Sequence, residues 1–218
     1  MKFIYSIKFK IILLVAVPFM GFVVMLSLFL NSNIKEYNIS IIMKKNMDIS
    51  IATSYLIDSL QKERGKTSIF VNKNLSRKDI DIQREISDNY FKELTNIINT
   101  YNKKGYGEIV QKTQFEINDI RNKANSFTVD FNHTFGIYTK NIEKLSVFYK
   151  KASEDKTSKG IGKLFSSLQI LEDAKEGAGR FRGFSSGIVS RDTKITDDEF
   201  FKINNYKVSI DFNINSNV

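Results

Sequence analysis

Residues 127–149 read FTVDFNHTFGIYTKNIEKLSVFY. Within them Phe127, Phe131, Phe135, Tyr138, Ile142, Leu145 and Tyr149 recur at steps of three or four. Residues so spaced share one face of an α-helix, so the pattern predicts a helix with an aromatic and aliphatic stripe turned to a core. A strand would need alternation at every second residue, which is missing. The stripe reads as a packing surface and not as a cofactor box.

Neighbouring segments carry the same period. Ile86, Tyr90, Leu94, Ile97 and Ile98 form a stripe in a helix expected at about 77–102, and further helices are expected at about 108–157 and 163–190. Ile34 to Val71 reads as one long helix, and a last helix is expected near 197–210. There Thr196 is the N-cap, and Asp197, Asp198 and Glu199 suit the positive end of the helix dipole. Breaks are expected near 72–76, 103–107 and 158–162, where turn-forming residues gather. A single proline, Pro18, fits long uninterrupted helices. The fold class is therefore all-α, an up-down helical bundle.

Upstream, Ile11 to Leu30 is twenty residues without a charge, IILLVAVPFMGFVVMLSLFL. At about 1.5 Å per residue such a helix crosses a hydrocarbon core of about 30 Å. A cleaved signal peptide has a shorter apolar region and a small-residue cleavage site, and Leu28-Phe29-Leu30-Asn31 offers none. Lys2, Lys8 and Lys10 precede the run and place the N-terminus in the cytoplasm by the positive-inside rule. The expected organisation is a basic cytoplasmic stretch at 1–10, a transmembrane helix at 11–31, and an extracytoplasmic domain at 32–218. That is a single-pass protein of the inner membrane with its domain in the periplasm. No cytoplasmic signalling module is recognisable, so the chain reads either as an anchored sensor or as the front of a longer receptor.

Several function classes are not expected. Cysteine is absent, which removes disulfides, thiolate metal sites and cysteine nucleophiles. The net charge is +9, but three of those charges precede the apolar run and the rest are scattered. Nucleic-acid binding, which needs a basic stripe, is not expected. His133 is the only histidine and has no metal or catalytic set around it. No nucleophile–base pair, paired catalytic acids or phosphate loop is present. The chain therefore reads as a non-enzyme without metal or cofactor.

One motif asks for more than packing. Leu56, Leu60, Arg64 and Ser68 lie on one strip of a helix, so Arg64 continues an apolar line. Leu171, Ala174, Ala178, Arg182, Ser185 and Val189 form a second such face, which turns Arg182 inward as well. Arg180 falls about 200° from Arg182 and is expected outward, paired with Glu176. The two stretches share Arg-Gly-x-(Ser/Thr)-Ser, at Arg64–Ser68 and Arg182–Ser186. A buried guanidinium requires an anion and acceptors to compensate it. Glu63, Glu172 or Glu176 could supply them, or a diffusible oxyanion could, which the planar fork of arginine suits. Thr67, Ser68, Ser185 and Ser186 would add hydroxyl donors, and Ala174, Ala178, Gly179 and Gly183 would leave room.

These segments resemble the nitrate- and nitrite-sensing domain family of bacterial membrane receptors such as chemoreceptors and sensor kinases. Its Leu-Gln-x-Glu-Arg-Gly helix is matched by Leu60-Gln61-Lys62-Glu63-Arg64-Gly65. Its Ala-Lys-Glu-x-x-Gly-x-Glu-Arg helix is matched from Ala174 to Arg182, with Phe181 in place of the second glutamate. The resemblance implies two stacked four-helix-type bundles, with a degenerate or truncated tail after Arg191. It also implies a homodimer with nitrate or nitrite bound between the motif helices. Arg64 and Arg182 inherit the ligand role, Arg180 more weakly, and Thr67, Ser68 and Ser185 stand beside them. The competing expectation is a helical bundle that binds no ligand and serves dimerisation or protein contacts in the cell envelope.

Overall fold

The computed structural model describes residues 7–73, 75–154, 161–191 and 193–215. Six helices account for almost all of these residues, and none of them lies in a strand: α1 (Ile7–Val71), α2 (Arg77–Thr100), α3 (Lys104–Asn125), α4 (Phe131–Glu154), α5 (Ile161–Val189) and α6 (Asp197–Asn215). The fold is all-α, as the periodicity predicts.

The chain divides into two units, Met1–Met43 and Lys44–Val218. In the first, α1 is apolar on every side. Its most apolar window has a mean hydropathy of 2.7 and no buried residue. A helix without a polar face, and with nothing packed on it, is a candidate membrane span.

The second unit holds the core. Consecutive helices from α2 to α6 pack on one another in chain order. The larger cluster joins Ile49, Leu56 and Leu60 of α1 to Phe91 and Leu94 of α2, Ile117 of α3, and Tyr138, Leu145 and Tyr149 of α4. A smaller aromatic cluster joins Phe131 and Phe135 of α4 to Phe184 and Ile188 of α5, with Ile203 and Tyr206 of α6 against it.

Two expectations about this packing need correction. The span 108–157 is two helices. Thr128 N–H donates to the Lys123 carbonyl and Phe127 N–H to that of Ala124, the paired bonds of a Schellman stop. That stop needs a left-handed residue, and Phe127 takes it at φ 53°. Its ring stacks on Phe70 with centroids 5.3 Å apart, a contact that favours this conformation. The chain restarts at Asp130, whose carboxylate accepts from His133 N–H at 2.7 Å. On α2 the buried face is Ile80, Gln83, Ser87, Phe91, Leu94 and Ile98, which leaves Ile86 exposed and Tyr90 half-buried. The expected break at 158–162 lies in part outside the described residues, and α5 has begun by Ile161.

Candidate anion-binding site

Arg64 is fully buried, with 0% of its surface exposed. It reaches that position because Leu56 and Leu60 fix the same helix face in the core. Its Nη1 donates to Glu176 Oε1 at 2.6 Å and to Thr139 Oγ1 at 3.0 Å, and its Nη2 to Glu176 Oε2 at 3.3 Å. The guanidinium lies over the Phe135 ring, 4.8 Å from its centroid. Its Nε has no partner. Of the three acids that could compensate the charge, Glu176 does so. Gln61 donates to the same carboxylate at 2.8 Å, so the first motif grips it with two side chains.

The orientation expected for the second motif is reversed. Arg182 is exposed, as are Leu171, Ala178 and Val189 of its stripe. Arg180 is the partly buried one: its Nε donates to Glu176 Oε1 at 2.7 Å and its Nη2 to Glu143 at 2.8 Å. Burial would lower its pKa, but the hydrogen bonds and charges of Glu176 and Glu143 outweigh it and hold the group cationic. The buried stripe of α5 is Glu172, Glu176, Gly179, Gly183 and Gly187. These glycines let α5 approach closely: a Cβ at Gly183 would meet Phe135 at 3.2 Å, and one at Gly187 would overlap Phe131 at 2.0 Å. Counting apolar side chains cannot find such a face, because glycine contributes backbone proximity and no hydrophobic signal.

Arg182 is nevertheless beside the first motif. It lines an open groove of about 440 Å³ with Asp58, Gln61, Lys175, Ala178 and Gly179. A Cβ at Gly179 would lie 3.3 Å from Arg64 Nη2 and 3.5 Å from Gln61. Gly179 thus lines the groove while standing directly against the buried guanidinium. Two cations, Lys175 and Arg182, and the amide of Gln61 line it against one carboxylate, Asp58.

The hydroxyl residues are engaged elsewhere. Ser68 Oγ donates to the Arg64 carbonyl at 2.7 Å, and Thr67 Oγ1 to Tyr138 at 3.5 Å, both buried. Ser185 is half-buried and lines none of the groove described above. Glu63, next to Arg64 in sequence, turns about 100° away on the helix. It accepts both arms of Arg121 at 2.7 and 2.9 Å and the Tyr138 hydroxyl at 2.5 Å. Burial would lower the Arg121 pKa, but the bonds and charge of Glu63 raise it above its ordinary value. Burial and the Glu63 charge raise that of Tyr138. This network ties α1 to α3 and α4. Sequence reasoning missed Thr139, Phe135 and Lys175; Phe135 was visible only as a core aromatic.

No curated protein and no solved structure matches the chain. The family model described as nitrate and nitrite sensing matches residues 55–211, well over half of the sequence, and includes both arginine motifs. With its all-helical fold and the two motifs side by side on α1 and α5, the chain belongs to the NIT family, nitrate and nitrite sensing.

Proposed function

We propose that this chain is the extracytoplasmic sensor of a membrane-anchored receptor of the chemoreceptor or sensor-kinase type, with residues 11–31 as its span. Nitrate or nitrite binds in the groove between α1 and α5. The observation that carries this reading is the contact of a glycine-lined, cation-rimmed groove with the buried Arg64 guanidinium. Arg182 and Lys175 meet the anion first, and Gln61 donates from the α1 side. Arg64 adds its charge through the gap at Gly179. The oxyanion then competes with Glu176 for Arg64, since both are planar groups that take the two arms of a guanidinium.

One observation favours the ligand-free reading: Glu176 already compensates Arg64. Calorimetry of the full chain in detergent against nitrate, nitrite, formate, chloride and sulfate separates the two. A saturable heat is expected for nitrate or nitrite. Arg182→Ala and Gly179→Ala should each weaken it about tenfold or more, the loss of one charge-assisted contact. Arg182→Ala binding like wild type would remove the groove from the mechanism. No saturable heat with any of these anions would leave the bundle a structural one.

A further inference from the structure

A second cavity, of about 70 Å³, opens on a different stripe of α5. Four carboxylates line it, Glu143, Glu172, Asp173 and Glu176, together with Arg180 and Tyr149. Their ion-pair partners are three cations: Arg64 and Arg180 on Glu176, Arg180 also on Glu143, and Lys175 on Glu172. One net negative charge remains. Asp173 has neither a hydrogen bond nor an ion pair of its own.

Tyr149 is a separate sign of a missing partner. It is 1% exposed, yet its hydroxyl makes no hydrogen bond. Ser54, beside the phenol, donates its own hydrogen to Glu172 at 2.9 Å. Burial and the Glu172 charge push the phenol pKa up, so the hydroxyl stays protonated. Burial, with Glu172 and Glu176 nearby, raises the Asp173 pKa although Arg180 opposes it. Both shifts are those of groups waiting for a positive neighbour.

We infer that this cavity binds a small cation carrying N–H donors, ammonium or a short primary amine. Asp173 and Glu172 accept its hydrogens, and the Tyr149 hydroxyl supplies the third contact. An oxyanion would face four carboxylates here and is disfavoured. No group of three or more acidic or histidine side chains converges to hold a metal ion among the described residues. The volume admits a few water-sized groups, which sets the size limit. The inference does not depend on the anion groove.

The test is calorimetry of the full chain in detergent with ammonium chloride, methylammonium chloride, tetramethylammonium chloride and sodium chloride at matched ionic strength. One saturable site per chain is expected for ammonium or methylammonium. None is expected for sodium, nor for tetramethylammonium, which has charge without N–H. Asp173→Asn and Tyr149→Phe should each weaken the site about tenfold, with helicity and melting checked alongside. If one variant does not fold, the other decides. The inference is overturned if sodium gives the same response, if no ammonium-type ion saturates, or if the folded variant binds like wild type; the cavity then holds only water.

Discussion

Glu176 joins four side chains: Arg64, Arg180 and Gln61 donate to it directly, and Arg180 carries the chain on to Glu143. Removing one partner of a buried ion pair leaves the other charge uncompensated, at a cost of about 3–5 kcal/mol. Glu176→Gln should therefore lower the melting temperature of the bundle by roughly 10 °C. If an oxyanion can take the vacated fork of Arg64, nitrate should then restore more of the loss in the variant than it adds to wild type. A melting temperature within 2 °C of wild type would show that Arg64 does not depend on this carboxylate. The inward path of Arg64 was legible because Leu56, Leu60 and Arg64 keep one register. The inward path of α5 was not, since Gly179, Gly183 and Gly187 define it by what they lack. Thus Arg180 and Arg182 exchanged roles between expectation and structure.

At the scale of the element, α5 depends on those glycines and α6 on its first turn. A methyl at Gly187 would sit 2.0 Å from the Phe131 ring, so Gly187→Ala should destabilise by about 3 kcal/mol, the upper range for overpacking. Gly65 has open space where its Cβ would be, so Gly65→Ala should gain about 0.5–1 kcal/mol from helix propensity. Chemical denaturation of both variants checks the contrast, and equal effects would contradict the packing. For α6, Thr196 Oγ1 accepts from Glu199 N–H at 3.3 Å, and Glu199 accepts from Thr196 N–H at 3.1 Å, a capping box. Arg191 adds an ion pair to Glu199 at 2.5 Å. Burial would raise the Glu199 pKa, but the Thr196 backbone bond and Arg191 outweigh it and hold it below its ordinary value. A depressed carboxylate stabilises the fold above its unfolded pKa, about 4.3, and that contribution fades as pH falls through the folded value. Glu199→Gln keeps a capping acceptor and removes the charge. Its melting deficit against wild type should be present at pH 7 and shrink below about pH 4. A deficit constant with pH would mean that the charge contributes nothing. This start was readable because Thr196 and Glu199 are ordinary capping residues. The stop at Phe127 was hidden because neither glycine nor asparagine marks it, unlike the stop at Asn102, where φ is 52°.

For the whole molecule, two features were legible in full: the uncharged run from Ile11 to Leu30 and the helical period after it. Each needs only the order of residues along the chain. The pairing of helices was less legible, because it depends on partners more than a hundred residues apart, as with Arg64 and Glu176. Membrane orientation is the remaining large-scale property, and the chain suits its measurement because it contains no cysteine. Lys104 begins α3 and is exposed, so Lys104→Cys introduces one reporter at little structural cost. Lys8 lies in the basic stretch before the apolar run, and Lys8→Cys reports on the other side. The cationic flank at Lys2, Lys8 and Lys10 is retained in the cytoplasm by the positive-inside rule, and the bundle is then exported. In cells with a permeabilised outer barrier, an impermeant maleimide should label Lys104→Cys directly. Lys8→Cys should react only after the inner membrane is lysed. The reverse pattern would place the bundle in the cytoplasm, where the groove would report on internal rather than external anions. Labelling of both positions in intact cells would mean that the apolar run does not hold the chain across the membrane.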